Sequence, residues 1–213
     1  MRRTFALMIV AMLFVVGSST ALAATQQKIT IRALIAESGW ESYDEDTGNG
    51  ESGYVQFATA QGATTVFLVL SKGELILCEG GDTPDDPFDD YWGFLGTETV
   101  GQGSAKLVLG RTYSSAKAWG TVTADVNTYN ECTGAEGSTS TKTIKVALDL
   151  AGIGPVVAQK LRSTISIPKT LRSKTLIRSD SREAAGTTKI GTRTLETGGV
   201  IGKLSLRASL LEH

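Results

Sequence analysis

The chain has 213 residues, 41% hydrophobic and 20% charged, with a formal net charge of −1. That balance, in a chain read as exported, argues against nucleic acid as a partner. The single histidine, His213, is the last residue, which leaves Ser-His-Asp or Cys-His catalysis without a base and excludes histidine-built zinc or copper sites.

Residues 1–23 read as a secretory signal peptide. Arg2 and Arg3 form a basic start, Phe5 to Val16 is an uncharged run too short to span a bilayer, and Ala21-Leu22-Ala23 is a small-x-small cleavage site. Residues 24–213 are expected to be one β domain, secreted, periplasmic or at the cell surface. No second stretch approaches the ~20 apolar residues of a membrane helix.

Lys28 to Ala36 alternates with Ile29, Ile31, Ala33 and Ile35 on one face. Short runs follow at Tyr54–Ala58, Thr64–Leu70, Glu74–Cys78, Phe94–Val100 and Ala105–Leu109. Thr112–Val126 reads as one bent strand or two. Thr143–Leu150 alternates most cleanly, with Ile144, Val146, Leu148 and Leu150 on one side. Leu161–Ile167, Leu171–Ile177, Ala184–Ile190 and Val200–Leu210 complete the set. Gln61-Gly62, Lys72-Gly73, Gly101-Gln102-Gly103 and Gly198-Gly199 read as turns between them. The expected fold is all-β: an antiparallel β-sandwich of jelly-roll type or a closed β-barrel. Outer-membrane barrels alternate too, but this chain lacks the terminal aromatic, and 7% aromatics is few for two girdles.

Cys78 and Cys132 are the only cysteines and are expected to form a disulfide outside the cytoplasm. Two acidic segments suggest calcium as the cofactor to test. Asp44, Asp46, Asn49 and Glu51 offer oxygens in a glycine-rich loop, and Asp82, Asp85, Asp86, Asp89 and Asp90 form a second cluster. The first departs from an EF-hand, having Asn49 where glycine belongs and Val55 where a bidentate Glu belongs. Trp40, Tyr43, Phe88, Tyr91 and Trp92 flank these segments and supply rings of the kind that stack on sugars or pin loops to a core.

From Ala24 to Thr99 there are 14 acidic and 3 basic residues; from Val100 onward there are 8 acidic and 16 basic. In the basic part, Lys160, Arg162, Arg172, Lys174 and Arg178 are all even-numbered, while Leu161, Ile165, Ile167, Leu171 and Ile177 are odd and Leu176 breaks the alternation. Two regular strands would place the cations on the outer face, as a polyanion-binding stripe, and the aliphatics in the core. These features point to a non-catalytic binding or structural module taking a glycan or protein partner. A carboxylate-dependent glycan hydrolase or lyase, and a self-associating surface protein forming homo-oligomers, are the competing expectations.

Overall fold

The computed structural model describes residues 27–78, 91–137, 139–167 and 171–212. The expected signal peptide lies outside them. Ten antiparallel strands run β1 (Gln27–Asp44), β2 (Asn49–Ala60), β3 (Ala63–Cys78), β4 (Tyr91–Leu109), β5 (Ser115–Asn130), β6 (Ala135–Glu136), β7 (Ser140–Gly152), β8 (Val157–Ile167), β9 (Leu171–Ile190) and β10 (Arg193–Glu212). The strands pair in the order β10-β1-β2-β3-β4-β5-β7-β9-β8, and β10 also pairs with β9. The hydrogen-bonded path therefore returns to its start, and the all-β antiparallel class read from the alternation is the class observed. Among the described residues, no helix is long and apolar enough to cross a membrane.

The ring follows from strand parity. Even-numbered residues of β1 and odd-numbered residues of β10 point inward: Ala36, Ser38 and Ile201 are buried. Phe57, Leu68, Val122, Leu148 and Leu150 join them, and together they form one continuous apolar core. Ser38, Thr188 and Thr197 place three buried hydroxyls inside it. They satisfy one another, Ser38 to Thr188 at 2.8 Å and Thr188 to Thr197 at 2.9 Å. At one end of the ring the Trp40 ring lies directly over Gly53, the residue opposite it on β2, where no side chain would fit.

Strands are longer and fewer than the sequence implies. Gln61-Gly62 is a turn, with φ of 53° and 85°. Gly73, Gly101, Gly103, Gly198 and Gly199 instead lie inside β3, β4 and β10. A Cβ at Gly101 would meet the backbone at Ala124, so the absent side chain permits close approach of two strands and does not mark a turn.

β8 continues β7. Gly152 pairs with Ala184 and Val157 with Ser181, so β9 advances three residues while the β7–β8 chain advances five. The surplus forms a bulge at residues 153–156, in which Gly154 has a φ of 67° and the Ile153 N–H donates to the Glu183 carbonyl at 2.7 Å. Past this point β8, β9, β10 and the first residues of β1 leave the ring together. β1 pairs with β2 only from Ala33 onward, so these four strands project as an open sheet.

Candidate functional site: the basic face of the projecting sheet

The register of the projecting sheet brings the predicted cations together. Lys160 pairs with Arg178, Arg178 with Ser205, and Ser205 with Arg32. One row outward, Arg162 pairs with Leu176, Leu176 with Arg207, and Arg207 with Thr30. The next row runs Thr164, Lys174, Ser209, Lys28. Directly paired antiparallel residues share a face. Lys160, Arg162, Lys174 and Arg178 therefore lie on one surface with Lys28, Arg32, Lys203 and Arg207, and all eight side chains are exposed. Arg172 occupies a paired position between Ser166 and Leu211, at the far end of β9.

Four of these cations escaped the sequence reading, though Lys28 and Arg32, like Lys203 and Arg207, carry the same two-residue signal. They lie far along the chain from the predicted stripe, and only the closing β1–β10 and β10–β9 pairings bring them beside it.

Parity separated cations from aliphatics except at Leu176, which sits between Arg162 and Arg207 on the basic face, but it misassigned the faces. The basic face continues the inner face of the ring, since the residues just before it are Ala36, Ile201 and Ala184 of the core. On the reverse face, Ile31, Leu206, Ile177 and Leu161 form one straight row. That row stands outside the core, and Leu161 is 62% exposed. The aliphatic strands were expected to fill a core; they do not because they run past the end of the ring that would enclose them.

The cations have little internal compensation. The ion pairs among the described residues are Lys117–Asp149 and Arg193–Glu51, both elsewhere. On the basic face, Asp180 is the one acidic side chain among the described residues, and it sits at the base of the projection opposite Lys203. Burial and the Asp180 charge both raise the pKa of Tyr113, which belongs to the 3-10 turn Arg111–Tyr113 at this mouth of the ring.

The opposite end of the ring is acidic. β1 and β2 meet there in a hairpin carrying Glu41, Asp44, Glu45 and Asp46, all exposed, with Glu74 on β3 opposite Asn49. Exposed Glu131 and Glu136 follow at the turn after β5. Exposed Lys142 and Lys189 also lie toward this end, so its acidic excess is concentrated on the β1–β2 hairpin and the turn after β5.

The first predicted calcium segment occupies the hairpin tip. Asp44 accepts the backbone N–H groups of Asp46 at 3.0 Å and Thr47 at 3.3 Å. A hydrogen bond from the Thr47 side chain, then those backbone groups, hold its carboxyl below the usual aspartate value. Glu51 is paired with Arg193, and Asn49 donates to the Thr47 carbonyl. Asp44 therefore serves to cap a turn, and among the described residues no three His, Cys, Asp or Glu side chains converge on a metal position. Asp82, Asp85, Asp86, Asp89 and Asp90, with Phe88, lie outside the described residues.

The flanking aromatics divide. Trp40 closes the ring, whereas Tyr43, Tyr91 and Trp92 are exposed. Tyr43, Gly50, Gly73, Gly96 and Tyr129 form a single cross-strand row, glycine-floored in the middle. Phe94 lies over Gly73 and stacks on Tyr129 at 6.1 Å, so it supplies the apolar cover those glycines lack. A shallow cleft remains between Tyr43 and Phe94, bordered by Glu41, Glu51 and Ser71.

Cys78 and Cys132 are joined, with Cα atoms 5.1 Å apart. The bridge ties the end of β3 to the turn after β5 across the intervening β4, and Gly93 lies beneath it.

The chain matches no protein-family model, and no curated protein is similar enough to count as a relative.

Proposed function

We propose that this protein is an exported, non-catalytic binding module whose projecting four-stranded sheet takes an acidic partner on its basic face. The observation that carries the reading is the eight-cation surface of Lys28, Arg32, Lys160, Arg162, Lys174, Arg178, Lys203 and Arg207, built from four strands and facing solvent. Like charges placed opposite each other cost stability, and no packing requirement of the core calls for them there. Cations concentrated on one face attract an acidic surface over a distance set by ionic strength. The signal peptide read in residues 1–23 supports a place outside the cytoplasm or at the cell envelope.

Binding to immobilised dextran sulfate across a salt series tests this. Retention that weakens steadily with salt, and is lost when Arg162, Lys174 and Arg178 are changed to Glu, is the expected result. Equal retention of the wild type and that variant would overturn it.

A further inference from the structure

Resting on the reading of the basic face as the binding surface, we infer that its acidic partner is the acidic end of a second copy of this chain, so that copies join end to end. The molecule carries both surfaces, and they are opposite in sign. The acceptor is the basic face; the donor is the hairpin tip with Glu41, Glu45 and Asp46, flanked by Glu74. Lys72 lies among the donor's carboxylates, and Arg193 there is already paired with Glu51.

One molecule cannot satisfy itself. Arg32 and Asp44 belong to the same strand, β1, and an extended chain of that length separates them by roughly 40 Å. The screening length at physiological salt is about 8 Å, so the two ends do not neutralise each other within a copy. Contact between copies brings them together, and it does so without using up either molecule's remaining end. An interface of this head-to-tail kind propagates as a line unless its rotation closes it into a ring.

The size of the face sets the strength. Four strands at ~4.8 Å spacing and about ten residues of length give roughly 600 Å² per copy, below the ~800 Å² of a standard stable interface. The association is therefore reversible and salt-sensitive. The acidic tip has two strands and fits within the four-strand width, leaving the apolar row on the reverse face untouched.

Sedimentation of the purified protein at about 0.01 M and 1 M salt tests the inference, because the screening length falls from ~30 Å to ~3 Å between them. The expected result is a mass that rises with protein concentration at low salt and falls to a single copy at high salt. The variant R162E/K174E/R178E leaves five cations against four carboxylates on that face, Asp180 included, so its basic end is neutralised, whereas the variant E41K/E45K/D46K has two basic ends and keeps the Asp44 turn. Each alone should stay single at low salt, while an equimolar mixture should form a one-to-one pair. A wild type that is single at low salt, or a variant that still grows alone, overturns the end-to-end contact. Dextran sulfate binding by E41K/E45K/D46K separates the two failures. If that variant binds while the wild type never associates, only the second-copy inference falls; if it does not bind, the basic-face reading falls with it.

Discussion

Lys160 and Arg178 face each other across β8 and β9, two cations at one cross-strand position. Opposite charges there would favour the sheet and like charges oppose it. Stability and binding consequently pull in different directions at this pair. Lys160→Glu should raise folding stability by about 0.2–1 kcal/mol in urea titrations while weakening dextran sulfate binding. A variant losing both would mean that Lys160 has a packing role.

The bridge over Gly93 makes a second expectation. The 53 residues enclosed by Cys78 and Cys132 give a loop whose closure is worth ~3–4 kcal/mol on the chain-entropy account. Changing both cysteines to Ala should lower stability by that order, and thiol labelling of the unfolded wild type should require prior reduction. Gly93→Ala would place a Cβ 2.5 Å from the Cys78 sulfur. It should cost about 1–3 kcal/mol by forcing the bridge aside. An unchanged melting temperature in Gly93→Ala would argue against this crossing.

The three buried hydroxyls define a third test. Thr188 is the middle member, bonded to both Ser38 and Thr197. Thr188→Val keeps the shape but orphans two hydroxyls, and should cost about 1–3 kcal/mol in denaturant unfolding. Thr197→Val leaves the Ser38–Thr188 bond intact and should cost less. Equal losses would show that the chain of bonds does not act as a unit.

Acid should undo the hairpin tip. The Asp44 carboxyl is held below the ordinary aspartate value of 3.8 by the hydrogen bonds of its turn. A depressed carboxylate contributes stability that is present above the unfolded value and lost as pH falls through the folded one. The turn should therefore loosen only below pH 3.8, and a carboxyl NMR titration of Asp44 should show a midpoint under that value. Asp44→Ala should remove this local pH response. A midpoint at or above 3.8 would contradict the capped geometry.

Much of this molecule was legible along its chain, and the limits have physical causes. Alternation is a local property, so the inward set Val146, Leu148 and Leu150 could be read directly. The cysteine pair needed only composition, since Cys78 and Cys132 are the two cysteines of the sequence. The basic stripe at Lys160, Arg162, Lys174 and Arg178 followed from parity, but its extent did not, since Arg207 joins it through the register of the β9–β10 hairpin and Lys28 only through closure of the ring. Gly73 and Gly101 were read as turns because a glycine demanded by a neighbour's ring or backbone looks, in sequence, like a glycine demanded by a bend. The separation of charge into two ends depends on which strand termini meet, and that is topology.

The pairing of β1 with β10 joins the first and last strands of the described chain. Contacts so distant in sequence carry a large loop-closure cost before any reward, which slows folding. A chain emerging N-terminus first holds β1 as an open edge until β10 is available. Premature closure is forbidden by the fold itself, and the ring locks only after the last strand arrives.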